Sequence, residues 1–120
     1  MSDRIGLHGL RGRGRHGVLE AERELGQEFV VDVALLLDTA PAAASDDLAE
    51  TVDYGLLADD VVAIVEGEPC RLIETLAQRV ADRCLLDPRV EQADVTVHKP
   101  SAPVRVPFDD VTVSISRRRA

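Results

Sequence analysis

One lysine and one tyrosine, each the only residue of its type in the chain, are the side chains best suited to move a proton. The 120 residues include thirteen arginines but a single lysine, Lys99, and the three aromatic residues include a single tyrosine, Tyr54. Arginine cannot be deprotonated in a protein, whereas a lysine can act as a general base. The use of lysine at one position among so many arginines makes Lys99 a candidate acid–base residue.

The surroundings of Lys99 support this interpretation. It ends a predicted strand in phase with the apolar Val95 and Val97, and Pro100 after it favours an extended backbone. A lysine there loses part of its hydration, which favours the neutral amine that a general base needs. The alternative is a strand-end lysine that simply extends its ammonium into water. The residues alone leave both open.

Tyr54 follows Asp53, a plausible N-cap, so it should begin a helix whose dipole slightly favours a phenolate. That position suits a proton donor or a ring that stacks on a flat substrate. The position alone is also typical of a tyrosine that packs with its hydroxyl at the surface, and this simpler role is the more common one.

Two glutamates are further candidates. Glu74 is expected in the first turn of a helix beside the apolar Ile73, with its carboxylate at the edge of the core. There it could accept two parallel N–H donors, or it could only complement the helix dipole. Glu22 stands between Glu20 and Glu24, and by itself this run indicates a solvated acidic segment.

The histidines and cysteines do not have the spacing of metal ligands. Cys70 and Cys84 are fourteen positions apart and belong to no CxxC motif, so neither a zinc site nor a disulfide is indicated. Reduced thiols are typical of a cytoplasmic protein. We predict structural roles for the histidines, with His16 in a turn and His98 facing away from Lys99.

Length and charge exclude several classes of protein. The chain fits one domain, 1–120, and has no run of about 18 apolar residues that could span a membrane. Its net charge is −8, although residues 1–16 and 117–119 are basic. These basic stretches contain no aromatic residue that could stack on a base, and the acidic remainder would repel a polyanion. We expect solvated arginines and no nucleic-acid partner.

The hydrophobic pattern predicts an α+β fold. Six main elements are expected in the order strand, strand, helix, helix, strand, strand: a bulged strand within 5–14, a long strand 27–38, helices 54–65 and 71–86, and strands 90–99 and 108–116. Residues 20–26 are a short polar stretch that can hold a single helical turn, and 39–52 form a long connection. This order gives an antiparallel sheet with two helices on one face. Its uncovered edges favour self-association.

The chain resembles the dihydroneopterin aldolases of the folate pathway over nearly its whole length. The most specific shared motifs are Thr51-Val52-Asp53-Tyr54, Leu72-Ile73-Glu74 and His98-Lys99-Pro100 with Ala102-Pro103, and Gly14-Arg15-His16-Gly17 and Glu22 before Gly26-Gln27 accompany them. The resemblance implies the tunnelling fold, in which ββααββ subunits join their sheets into an oligomeric barrel. It also implies a homo-octamer of two tetrameric rings, with sites shared between subunits.

The resemblance further implies a reaction. Members of the family cleave 7,8-dihydroneopterin by a retro-aldol reaction to 6-hydroxymethyl-7,8-dihydropterin and glycolaldehyde, and the same sites can epimerise the side chain at its second carbon. The N5=C6 imine of the pterin accepts the electrons. No cofactor, metal or Schiff base with the enzyme is therefore implied.

The site residues follow from the matching motifs. By resemblance Lys99 is the general acid and base, and Tyr54 assists it and contacts the ring from the neighbouring subunit. Glu74 binds the 2-amino and N3–H groups of the pterin, with the backbone of Ile73 beside it. Glu22 holds side-chain hydroxyls, and Val52 contributes backbone contacts.

Some positions depart from the family pattern and leave room for a different activity. Arginines stand at 11, 13 and 15 where many relatives have aromatic or neutral residues, and Arg71 precedes the pterin anchor, so their contact with substrate is open. A dihydroneopterin triphosphate epimerase of the same fold would use such arginines to bind phosphate. A non-catalytic pterin-binding ring and a Schiff-base aldolase acting through Lys99 are also open.

Overall fold

Four antiparallel strands form one sheet, with two long helices packed on one of its faces. The computed structural model describes residues 3–119, so the extreme ends of the predicted domain 1–120 lie outside the described part. The elements are β1 Asp3–Gly14, α1 Glu20–Leu25, β2 Gln27–Leu37, α2 Ala40–Ser45, a 3₁₀ turn Leu48–Glu50, α3 Tyr54–Glu66, α4 Ile73–Cys84, β3 Gln92–His98 and β4 Thr112–Arg118. The strand order is β1-β2-β3-β4. The predicted α+β class is confirmed.

The core lies between the sheet and the helices α3 and α4. Alternate residues of β2, from Phe29 to Leu37, are buried, as the alternation predicts. The stripe predicted on α4 is buried against them: Ile73, Leu76, Val80 and Cys84. Asp53 caps α3 by accepting a hydrogen bond from the N–H of Leu56 at 3.1 Å, which confirms the predicted N-cap.

A bulge bends β1, as predicted. The register between β1 and β2 shifts between Leu7 and Leu10. Gly9 lies in the bulge with a φ of 74°, a conformation that side chains with a Cβ rarely adopt. Its N–H donates to Asp32 Oδ1 at 2.8 Å, which ties the bulge to β2.

The connection 39–52 and several element ends differ from the prediction. The connection contains α2 and a 3₁₀ turn. Because α2 buries no residue, its sequence has no hydrophobic period from which the helix could be predicted. The strand β3 begins at Gln92 because Val90 donates to Asp87 in a turn. The strand β4 begins at Thr112 because Thr112 pairs with the last residue of β3. Within residues 3–119, no helix is long and apolar enough to cross a membrane.

Many arginines donate to backbone carbonyls where elements end. Arg79 bonds Glu68 O at 2.7 Å, and Arg89 bonds the carbonyls of residues 49 and 51. Arg119 bonds the carbonyls of residues 85, 87 and 90. The arginines of the basic C-terminal stretch were expected to be only solvated. Arg119 instead binds the segment after α4.

The helix-free face of the sheet carries a histidine between two aspartates. His98 Nε2 lies 2.6 Å from Asp32 Oδ2, and His98 Nδ1 lies 2.7 Å from Asp110 Oδ2. His98 thus faces away from Lys99, as predicted. Hydrogen bonds to Asp32 and then to Asp110 raise the pKa of His98. The cluster joins β2 and β3 to the loop before β4.

This cluster should make part of the stability depend on pH. The ordinary pKa of histidine is about 6.5. The pKa of His98 is raised in the folded state. The charged His98 therefore contributes fully to the free energy of unfolding below pH 6.5, and this contribution is lost as the pH rises through the raised pKa. We expect His98→Gln to lower the free energy of unfolding by about 1 kcal/mol at pH 6 and by much less at pH 9.

Urea unfolding of both proteins at one protein concentration measures this difference. The control is His8→Gln, which removes an exposed histidine that influences Asp32 only by its charge. A difference between wild type and His98→Gln that does not shrink with rising pH would contradict the charged pairing.

Candidate functional site

A cleft of about 420 Å³ brings together four of the six predicted site residues, Glu22, Ile73, Glu74 and Lys99. It lies between α1, the start of α4, the end of β3 and the loop before β4. Its other lining residues are Val18, Leu19, Arg71, Leu72, Ala102, Pro103, Val104 and Val111. The cleft therefore gathers residues that are distant from one another in the sequence.

Lys99 lies at the floor of this cleft and is only 8% exposed. Its Nζ is 2.6 Å from Glu22 Oε2 and 5.9 Å from the centre of the Phe29 ring. Its backbone N–H donates to Val111 O at 2.8 Å, which extends the pairing of β3 with the β4 segment. The predicted desolvation is confirmed, and the alternative of an ammonium extended into water is wrong.

The side chain of Glu22 is largely covered where it contacts Lys99, and it is not solvated as its acidic neighbours indicated. Its side chain is 8% exposed and accepts hydrogen bonds from Leu19 N at 3.2 Å and Gln27 Nε2 at 3.3 Å. Burial alone raises the pKa of Glu22, but the hydrogen bonds from Lys99 and Leu19 outweigh it and lower that pKa. Glu22 is therefore a carboxylate that neutralises the ammonium of Lys99.

Gly17 is a part of the site whose role the sequence reasoning missed. A Cβ at Gly17 would lie 2.5 Å from Glu22 Oε1 and 2.7 Å from Oε2. The Gly17 N–H also donates to Cys70 O at 2.9 Å, which fixes this backbone beside the carboxylate. Because glycine has no side chain, it leaves the space that Glu22 occupies.

Glu74 lines the cleft but is exposed, so its predicted position at the edge of the core is wrong. The buried stripe of α4 runs through Ile73, Leu76 and Ala77. Glu74 lies between these positions on the helix and is turned towards solvent. Ile73, the first residue of α4, is buried at the cleft wall.

The remaining two predicted residues, Val52 and Tyr54, are not in the cleft of Lys99. Tyr54 is 60% exposed at the start of α3. Val52 is buried beside a separate pocket of about 310 Å³, whose lining includes Arg89. Within this chain, the structure does not bring either residue to Lys99.

His16 is completely buried, and its hydrogen bonds agree with a structural role. Its Nδ1 accepts from Cys70 N at 3.1 Å, so Nε2 is left to donate to Val65 O at 2.6 Å. Burial lowers the pKa of His16, which favours the neutral ring. Among the residues that the structure describes, no three acidic, histidine or cysteine side chains are grouped to hold a metal ion.

Comparisons with known proteins agree with this fold. The family model described as FolB, dihydroneopterin aldolase, matches residues 5–116. A dihydroneopterin aldolase of Streptomyces coelicolor is 62% identical over 117 residues, 98% of each chain.

Two solved structures are also similar. Escherichia coli dihydroneopterin aldolase in complex with neopterin has a TM-score of 0.86 and 31% identity, over 96% of this chain and 98% of that one. A dihydroneopterin aldolase from Burkholderia thailandensis bound to guanine has a TM-score of 0.79 and 28% identity, over 99% and 93%.

The fold and these comparisons define a small α+β enzyme, and its cleft contains a paired ammonium and carboxylate. The chain belongs to the dihydroneopterin aldolase family. It is thus an aldolase, a lyase of folate biosynthesis, as the resemblance implied.

Proposed function

We propose that Lys99 is the general acid and base in the retro-aldol cleavage of 7,8-dihydroneopterin. The observation that carries this proposal is the 2.6 Å contact of Lys99 Nζ with Glu22 Oε2 at the floor of an open cleft. Once the hydroxyls of the substrate have replaced Glu22 as its partner, Lys99 reacts as the neutral amine and, through a water, takes the proton of the 2′-hydroxyl. The C1′–C2′ bond then breaks, its electrons pass into the N5=C6 imine, and glycolaldehyde leaves. Lys99 returns the proton to C1′ of the resulting enamine.

Glu22 has two roles in this proposal. It keeps the ammonium of Lys99 in place, and it accepts hydrogen bonds from the hydroxyls of the substrate side chain. When the substrate hydroxyls donate to the carboxylate oxygens of Glu22, Lys99 loses its carboxylate partner and contacts the substrate in its place. The burial of Glu22 supports this role, because hydrogen bonds are stronger away from water.

Glu74 holds the pterin ring. The relatives described above were solved with neopterin and with guanine, and both molecules carry an amino group next to a ring N–H. A carboxylate accepts two such parallel donors. The backbone N–H groups of Ile73 and Glu74 belong to the first turn of α4, so they lack intrahelical acceptors and can bind the neighbouring ring carbonyl.

The reaction is tested directly by its products. Incubation with 7,8-dihydroneopterin is expected to release glycolaldehyde and 6-hydroxymethyl-7,8-dihydropterin in equal amounts, with some 2′-epimer. The control is the triphosphate of the same pterin. Glycolaldehyde release that is negligible beside epimerisation would contradict the aldolase mechanism and favour a triphosphate epimerase.

Val52 and Tyr54 reach the cleft from a neighbouring subunit in this proposal. Both strands at the sheet edges, β1 and β4, are available for pairing with another copy. The exposure of Tyr54 supports an assembly that covers it. We propose a homo-octamer of two tetrameric rings, built from chains that each act as one domain. The free thiols of Cys70 and Cys84 support a cytoplasmic location.

Shared sites predict complementation between two inactive variants. Tyr54→Phe and Lys99→Ala should each be impaired alone, because each lacks one group of every site. After dissociation and reassembly of an equal mixture, about a quarter of the sites would take both intact residues, one from each kind of subunit. Turnover of the mixture, compared with each variant reassembled alone, measures this. Mixed oligomers that form without recovered turnover would contradict a shared site.

Gly17→Ala should impair the same site without touching the substrate. The new Cβ would displace the Glu22 carboxylate from Lys99, since it would lie 2.5 Å from Oε1. We expect kcat/KM to fall by about tenfold, the effect of losing a hydrogen bond to a charged group. Glu22→Gln is the matched comparison, and adding it to Gly17→Ala should cost little more. Full additivity of the two changes would show that Gly17 acts elsewhere.

A further inference from the structure

The short helix α1 carries Glu22 but is not held by the core. It has six residues, Glu20–Leu25, and none of them is fully buried. A helix of this length is not stable by itself in water. Yet Glu22 Oε2 is held 2.6 Å from the Lys99 ammonium. Contacts other than core packing must therefore fix α1.

Two arginines at the end of β1 and just after it, Arg13 and Arg15, provide these contacts. The carbonyls of residues 23–26 belong to the last turn of α1 and its C-cap, where a helix has acceptors without internal partners and a partial negative charge. Arg15 Nη1 donates to the carbonyls of residues 23 and 24 at 3.2 and 2.6 Å. Arg13 Nη2 donates to those of residues 25 and 26 at 2.7 and 3.0 Å.

A neighbouring arginine of β1, Arg11, makes a different contact. Arg11 forms an exposed ion pair with Glu28 of β2, with Nη1 at 3.1 Å from Oε1, and so it is tied to the sheet and not to α1. Neither Arg13 nor Arg15 lines the cleft that contains Lys99. Their donors are thus engaged with α1 carbonyls outside the cleft.

We propose that Arg13 and Arg15 are positioning residues for the reaction, which hold α1 so that Glu22 stays against Lys99. The inference rests on the proposed function of the Glu22–Lys99 pair. The two guanidinium groups act on the substrate only through the carboxylate of Glu22. In each arginine one terminal nitrogen donates to both carbonyls. The planar guanidinium fixes the direction of these N–H groups, which the flexible ammonium of a lysine would not.

Hydrogen exchange tests the structural part. In the double variant Arg13→Gln with Arg15→Gln, the amides of Arg23 and Gly26, which bond within α1, should exchange about tenfold faster than in the wild type. Arg11→Gln is the matched control and should leave them unchanged. If Arg15 is replaced by lysine instead of glutamine, the lysine can still donate to a carbonyl. The amides of α1 should then be better protected from exchange than in the double glutamine variant. Unchanged exchange in the double variant would overturn the proposal.

Kinetics test the positioning role. The double variant should have about tenfold lower kcat/KM for dihydroneopterin, the size of a lost charged hydrogen bond. In a Glu22→Gln background the same two changes should have almost no further effect. An equal loss in both backgrounds would overturn the proposal. Wild-type activity of Glu22→Gln alone would instead refute the proposed role of Glu22, while the exchange rates would still decide whether the arginines hold α1.

Discussion

Lys99→Arg is expected to reduce kcat by about a hundredfold to ten-thousandfold, the range that general acid–base catalysis contributes. Arginine keeps the positive charge beside Glu22 but cannot give up a proton under these conditions. The pterin ring should still bind, because the residues proposed to hold it, Glu74 and Ile73, lie at the start of α4. Steady-state turnover of dihydroneopterin, together with titration of the product 6-hydroxymethyl-7,8-dihydropterin, separates the two effects.

The matched control for this variant is Arg105→Lys. Arg105 is exposed in the loop before β4, so the reverse exchange there should leave both turnover and binding unchanged. Because arginine is larger than lysine and the site is buried, Lys99→Met provides a second test with a similar volume. Normal turnover in either Lys99 variant would refute the proposed general acid and base.

The second large effect is expected from Glu74→Gln, which should weaken pterin binding by about a hundredfold. A carboxamide offers one oxygen to two donors and turns its own amino group towards one of them. The variant should differ from the wild type mainly by a higher KM, because Glu74 is proposed to bind the ring and not to contact the bond that breaks. Glu68→Gln, an exposed glutamate before α4, is the control and should change neither kcat nor KM.

Binding of two purines measures how far recognition depends on the amino group. Guanine has the amino group beside the ring N–H, whereas hypoxanthine lacks it. The wild type is expected to bind guanine better than hypoxanthine, and Glu74→Gln should lose that preference. If the variant discriminated between the two as well as the wild type, another group would hold the amino edge.

The sequence predicts the elements whose residues alternate with a clear period. The alternation in β2 places Phe29 in the core, and the same argument places Lys99 under the cleft, since it follows Val95 and Val97 in phase. Asp53 marks the start of α3 because a cap needs only local geometry. The helix α2 escapes this reasoning, since it buries nothing and its alanines have no period.

The details of the site depend on contacts between distant parts of the chain. Glu22 looks solvated in the sequence because its burial arises from the distant Lys99 and from the space beside Gly17. The resemblance to the family assigned Glu22 to the site, whereas the acidic residues around it indicated only a solvated segment. The prediction puts Glu74 too deep because a single residue step, a rotation of about 100° around the helix axis, separates it from the buried Ile73 and turns it towards the solvent.

The single lysine and the single tyrosine make this chain its own spectroscopic reporter. Since Lys99 is the one lysine, isotope-labelled lysine would give one side-chain nitrogen signal, from the floor of the cleft. With no tryptophan in the chain, its tyrosine fluorescence comes from Tyr54 alone. One probe therefore follows the buried amine and the other follows the exposed ring, and each can be read without introducing a foreign label.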